Sequence, residues 1–286
     1  MKYLILSFFI ISNLFAQESK LLERLSALQE PSGRIWYNID GYIITSQIFD
    51  LNFDEEGLKQ VYEEHKVVAD DTKVKDDSIR ANNYVVRKTQ KQTGKIVGKS
   101  SCYFIETKDK KIMVVWFSSA SEDFEVQREL TNLIIEDKIP QANFASAQPN
   151  SINFGNRQIQ LLDTTCHWEA INSLQCPYNG QINWSVYSTL EKAQEAVEMQ
   201  MLMSKESAKV LTEKFVDVEF EGVLTKARRV VFIFKGLMEG KMLVIYYVAE
   251  KVRGNYIGCV MSHWNDDRIN PETKLPPLLE KVMKFK

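Results

Sequence analysis

Two long stretches of this chain are apolar without alternating with polar residues, and they restrict its architecture more than any other feature. Residues 241–264 read KMLVIYYVAEKVRGNYIGCVMSHW, two apolar runs joined by a turn at Arg253, Gly254 and Asn255; residues 97–118 read VGKSSCYFIETKDKKIMVVWFS. A strand with one face in water alternates apolar and polar residues, so a strand that does not alternate is covered on both faces. Each stretch therefore predicts the central strands of an antiparallel sheet flanked by helices. With 286 residues to distribute, the reading is an α+β protein of two tandem related units.

The remaining elements follow from periodicity. Leu21, Leu22, Leu25 and Leu28 have helical spacing ahead of Pro31, Ser32 and Gly33, which predicts a short helix within 17–34. Strands are expected at 35–40 and 42–49. An amphipathic helix follows over 53–66, with Leu58, Val61, Tyr62 and His65 on one face and Asp54, Glu55 and Glu56 in the first turn, where the helix dipole favours negative charge. Residues 84–90, 97–106 and 111–118 predict strands, and a helix starting near Ser121 buries Phe124, Leu130, Leu133 and Ile134. Residues 138–156, with Pro140 and Pro149, read as a linker between a first unit at 17–137 and a second at 157–286. The second unit repeats the order: a strand at 181–187, a helix from Leu190 to about Leu211, strands near 215–223, 227–234, 242–250 and 256–264, and a last helix after Pro276 and Pro277. The turn, strand and helix from Asn38 match in kind those from Pro177, and the strand and polar turn from Met113 match those from Cys259. An internal duplication is the economical reading.

The first sixteen residues carry Lys2, an apolar run and then Ala16, the layout of a secretory signal peptide. The run is too short, and too interrupted by Ser7, Ser12 and Asn13, to span a bilayer. The mature chain is expected to begin at Gln17, without a transmembrane segment, and to be secreted or periplasmic. A net charge of −2 from 36 basic and 38 acidic side chains offers no basic surface, so nucleic acid is not an expected partner. The even cysteine count permits two disulfides in an oxidising compartment. Cys166 and Cys176 flank a short segment that should fold back on itself and are the expected pair; Cys102 and Cys259 lie inside apolar strands and are expected as buried thiols.

Residues 216–283, a hairpin-rich sheet followed by LPPLLEKVM, resemble in their order of elements the fold of the photosystem extrinsic protein PsbP and the periplasmic protein DcrB. The first unit carries the resemblance more loosely. It implies an antiparallel sheet with helices on both faces, and a role in binding or assembly support without catalysis; a shared fold does not by itself transfer a function.

The common catalytic signatures are absent from the sequence: no G-x-S-x-G elbow, no G-x-x-x-x-G-K-[ST] loop, no G-x-G-x-x-G turn and no H-E-x-x-H helix. Of three histidines, His167 and His263 each sit beside a tryptophan and near acids, in Cys166-His167-Trp168-Glu169 and His263-Trp264-Asn265-Asp266-Asp267. Imidazole and carboxylate could converge there on a metal; the plainer reading is strand-end residues satisfied by backbone. Met199, Met201 and Met203 suggest Cu(I) only if extended, because on a helix residues two apart diverge by roughly 200°. The acidic run 70–77 lacks the ligand spacing of a calcium loop and reads as a solvated connection. Trp36, Trp168 and Trp264 stand where strands end and are candidates for lining a ligand cleft.

The expectation is a non-catalytic binding or assembly protein of a bacterial cell envelope, with a protein or small-molecule partner and no cofactor. The rival is an envelope hydrolase using carboxylates in a cleft between the units, with Glu169, Asp266 and Asp267 as first candidates; a third reading is an extracytoplasmic metal-binding protein.

Overall fold

The computed structural model describes residues 20–93, 96–119, 122–161, 165–234 and 240–286; the signal-peptide reading and Gln17 lie outside them. Contacts divide the described residues into two units. Unit 1 holds residues 20–37, Tyr42–Lys91 and Val97–Phe144; unit 2 holds Asn38–Gly41, the described part of 92–96, and Ala145–Lys286. Among the described residues no helix is long and apolar enough to cross a membrane.

Unit 1 is built on β1 (Ser26–Gln29), β2 (Ile35–Ile39), β3 (Tyr42–Asn52), α1 (Glu55–Glu64), β4 (Lys73–Val74), β5 (Asn83–Thr93), β6 (Ile96–Glu106), β7 (Lys111–Ser119) and α2 (Phe124–Ile135). The strands form one sheet in the order β1-β2-β3-β7-β6-β5-β4. β7 lies between β3 and β6, antiparallel to both, and its consecutive buried residues confirm the doubly covered strand. α1 packs Leu58 and Val61 over Cys102, Phe104 and Val114. Asp54 caps it by accepting the Gly57 N–H at 2.9 Å, and Gly57 is required because a Cβ there would lie 2.1 Å from the Asn52 carbonyl oxygen. α2 lies on the opposite face, where the Tyr103 hydroxyl donates to Gln127 Oε1 at 3.2 Å.

Unit 2 adds the hairpin β8 (Ser151–Asn153) and β9 (Gln158–Gln160), then β10 (His167–Ala170), β11 (Ser173–Cys176), β12 (Gly180–Tyr187), α3 (Leu190–Ser207), β13 (Lys209–Phe220), β14 (Val223–Ile233), β15 (Met242–Val252), β16 (Asn255–Trp264), α4 (Pro277–Glu280) and β17 (Met283–Phe285). Its sheet runs β10-β11-β12-β16-β15-β14-β13-β17. α3 sets Val197 and Met201 against Val230, Phe232, Ile245 and Tyr247. The other face carries the largest core, where Phe154 and Leu279 meet Trp184, Phe220, Tyr246 and Met261. Successive residues of β15 thus point into two different cores, the physical reason its sequence does not alternate. Arg253 and Gly254 both have positive φ and make the tight turn between β15 and β16.

Four expectations are corrected. Only residues 20–24 are helical within 17–34; beyond them β1 forms, and the Glu30 N–H bonds to the Arg34 carbonyl at 2.8 Å with Gly33 in the turn. Pro31 to Gly33 therefore close a hairpin, since pairing with β2 outweighs a marginal helical propensity. Residues 138–156 hold a 3-10 turn at Gln141–Asn143 and β8, and Ile152 and Phe154 are core. The last helix is a single turn, because the chain leaves it to pair β17 with β13. The acidic run 70–77 is not wholly solvated: Asp76 is buried, with Arg128 Nε at 2.8 Å and Arg87 Nη2 at 3.6 Å.

Candidate functional site

The residues singled out in unit 2 occupy two separate places. His167, Trp168 and Glu169 sit on β10, the edge of the sheet. His167 Nε2 lies 3.0 Å from Glu169 Oε1, with both side chains about half exposed, while the Trp168 indole donates to the Ser146 carbonyl at 2.9 Å and tilts against Trp184. Cys166 and Cys176 form the expected disulfide, which fastens β10 to β11 and is itself buried in the larger core. Cys102 and Cys259 are buried free thiols.

His263 and Trp264 end β16. Register links Trp168 through Leu174 and Ile182 to Met261, so Trp168, Met261 and His263 share the core face, and His167, the neighbour of Trp168, points the other way. Three strand spacings, roughly 14 Å, separate β10 from β16. The two imidazoles therefore do not converge. Among the described residues no group of three or more His, Cys, Asp or Glu side chains is arranged to hold a metal ion. Burial lowers the His263 pKa; its ring stacks on Tyr246 and its Nδ1 lies 3.2 Å from the Trp264 carbonyl. Asp267 Oδ2 accepts the Trp264 N–H at 2.8 Å, and burial raises its carboxyl. Asp266 pairs with Lys241, whose hydrogen bond lowers its carboxyl. Trp36 lies in unit 1, donating its indole N–H to Glu30 Oε1 at 2.7 Å. The methionines of α3 divide as helical spacing requires, with Met201 buried and Met199 and Met203 partly exposed.

A cavity of ligand size lies elsewhere among the described residues, wholly within unit 1. It has a volume of about 610 Å³ and opens between the α2 face of the sheet and the last turn of α2, within the roughly 300–1,000 Å³ of small-molecule sites. Cross-strand register makes its floor: Ile48 pairs with Met113 and Met113 with Ile105. Leu133 and Ile134 of α2 and Ile139 beyond it form the facing wall. Ile48 is 60 % exposed, although it lies on the face that carries Tyr42, Ile44 and Ser46 into the core.

At the inner end stand two hydroxyls. Tyr37 and Ser46, 2 % and 4 % exposed, line the cavity with Tyr37 Oη 3.0 Å from Ser46 Oγ. Burial pushes the Tyr37 phenol up to about 12, against the lowering effect of its bond to Ser46 and with a further push from the Asp137 carboxylate. The rim is charged and internally paired. Glu136 Oε1 meets Arg80 at 2.6 Å and its Oε2 meets Lys138 at 2.6 Å; Glu106 meets Lys110 at 2.9 Å and accepts from Asn82 at 3.1 Å. The hydrogen bonds from Lys138 and Lys110 hold the Glu136 and Glu106 carboxyls below their ordinary values.

The tryptophans and histidines that stand out in the sequence do not line this cavity. One signal was present: Ser46 is a polar residue at an inward position of a β3 that otherwise turns apolar side chains inward.

No family model and no curated protein matches the chain. Among solved structures, a di-domain aromatase/cyclase, StfQ from the steffimycin biosynthetic pathway, aligns at 10% identity and a TM-score of 0.14 over 90% of this chain and 77% of that one. The bifunctional dehydratase-cyclase domain of ambruticin biosynthesis aligns at 10% identity and a TM-score of 0.15 over 84% of this chain and 95% of that one. Scores this low show no shared fold.

Proposed function

We propose that this is a secreted or periplasmic binding protein of the bacterial cell envelope, acting without catalysis, whose ligand is a small apolar molecule held in the unit 1 cavity. The observation that carries the reading is the cavity itself, with Ile48 exposed at its mouth over a floor of Met113 and Ile105. An apolar side chain left in water beside a cavity of this size forgoes stabilisation that a bound apolar molecule would recover. The Cys166–Cys176 disulfide fits an oxidising compartment, as does the signal-peptide layout of the first sixteen residues.

The two units are, in this proposal, copies of one ancestral unit of the PsbP/DcrB kind. Each opens with a hairpin, continues through a helix, and returns a later strand to pair with the hairpin's second strand, β7 on β3 and β16 on β12. The hydrolase alternative draws on one observation, the raised carboxyl of Asp267, but Asp267 is engaged by the Trp264 backbone and Asp266 by Lys241. The metal alternative draws only on the His167–Glu169 pair, two potential ligands where zinc takes three or four.

Fluorescence titration with the neutral apolar dye Nile red tests the reading, with Ile48→Trp filling the cavity mouth. Wild-type protein should enhance the dye's emission saturably, and Ile48→Trp should weaken binding by about tenfold or more. Equal binding by both proteins would overturn the cavity as the site.

A further inference from the structure

The inner end of the unit 1 cavity carries more donor capacity than the protein uses. Tyr37 and Ser46 bring two hydroxyl hydrogens, and their single mutual bond consumes one. Whichever hydroxyl donates, the other keeps a hydrogen without an acceptor among the described residues, at a depth where both side chains are more than nine-tenths buried. A buried donor left unsatisfied carries a desolvation penalty, and such groups ordinarily find a partner. With the phenol pushed up to about 12, both groups are protonated donors across the physiological range.

The surroundings decide which acceptor fits. Cavity-lining charges are Arg80, Lys108 and Lys110 against Glu106, Asp109, Glu136 and Asp137. Arg80 and Lys110 are already paired with Glu136 and Glu106. The last turn of α2 adds the negative end of its dipole. The three lining cations are exposed at the rim, whereas the Asp137 carboxylate acts on Tyr37, so an anionic ligand would meet, among the described residues at the buried end, a negative charge and no cation, where an unpaired charge is costly. A hydrocarbon would leave the hydroxyl hydrogen unsatisfied.

We propose that the cavity selects a neutral apolar molecule bearing one hydrogen-bond acceptor oxygen, a ketone or quinone carbonyl in chemical class, which enters oxygen-first and accepts from the Tyr37–Ser46 hydroxyl pair. This rests on the cavity being the binding site, and the test separates the two. The probes are 2-ethylnaphthalene, 2-acetonaphthone and 2-naphthoate, nearly equal in size and differing in having no acceptor, a neutral carbonyl or a carboxylate. Equilibrium dialysis at pH 7 should rank the ketone roughly three- to tenfold tighter than the hydrocarbon, and the carboxylate roughly tenfold or more below the ketone. In Tyr37→Phe/Ser46→Ala, which removes both partners at nearly constant shape, the ketone preference should vanish, and hydrocarbon binding should strengthen because no hydroxyl hydrogen is left unsatisfied. Either single variant retains one hydroxyl donor and should retain the preference. Equal binding of ketone and hydrocarbon, a ketone preference that survives in the double variant, or a carboxylate that binds tightest would overturn the selectivity and leave the cavity standing as a site. Failure of all three to bind would overturn both.

Discussion

The two units treat the face beneath their closing helix in opposite ways. In unit 1, α2 covers that face only in part, and beyond its last turn Ile48 and Met113 border an open cavity. In unit 2, Phe154 from the β8–β9 region and Leu278 and Leu279 from α4 fill the corresponding layer against Trp184 and Phe220. Two sheets whose order of neighbours agrees except for the added β17 can thus be finished as a core or left beside a cavity. What differs is the supply of bulky side chains from segments outside the sheet. Both units also hold a buried carboxylate between two arginines: Asp76 between Arg87 and Arg128, and Glu221, 1 % exposed, between Arg157 and Arg253. In unit 2 those arginines bind backbone as well, Arg157 to the Lys281 carbonyl and Arg253 to those of Phe154 and Gly155. That network fixes the filling segments in place.

The contrast can be broken most forcefully at Phe154. Truncation to Ala removes a fully buried ring and should cost about 3–5 kcal/mol, read as a lower urea midpoint together with faster hydrogen exchange in unit 2 peptides. Loss confined to unit 1 peptides would refute the assignment of Phe154 to the unit 2 core. Glu221→Gln leaves two arginines short of a counter-charge. Because those arginines are partly exposed and water can screen them, the expected cost is about 2–3 kcal/mol, below that of a fully buried pair.

Asp76 sharpens the comparison through pH. Burial pulls its carboxyl up, but the hydrogen bonds from Arg128 and the Ser78 N–H, with the charges of Arg128 and Arg87, together leave it below the ordinary value of 3.8. A carboxyl depressed in the folded state stabilises fully above the unfolded value and loses that contribution as pH falls through the folded one. Stability of unit 1 should therefore drop between pH 4 and lower values, and Asp76→Asn should flatten that part of the profile; an unchanged slope in the variant would exclude Asp76 as a source. The smallest effect is expected at Ile48→Ala, within about 0.5 kcal/mol because the side chain is largely in water already. A cost comparable to Phe154→Ala would mean that the two faces are filled alike.

Local pattern carried much of this structure. The unalternating run in β15 announced two cores, and the Asp54 cap with Leu58 and Val61 announced α1. The spacing of Cys166 and Cys176 announced the staple between β10 and β11. These features are legible because each depends on residues a few positions apart. The helix read across Leu25 and Leu28 failed because the partner strand β2 decides that conformation, and propensity alone does not weigh it. Asp76 was lost in a charged run because its arginines come from β5 and α2. The aromatic and histidine pairs drew attention through composition, yet strand alternation sends His167 and His263 to opposite faces.

By itself the sequence determined the long central strands and which of them are buried twice, where α1, α2 and α3 begin and that Cys166 joins Cys176, since periodicity and capping are properties of neighbouring residues. Only the tertiary structure decided that one face is filled and the other is hollow. The volume above a sheet is set by side chains from β8, β9, α2 and α4, and no local pattern records whether their sum falls short.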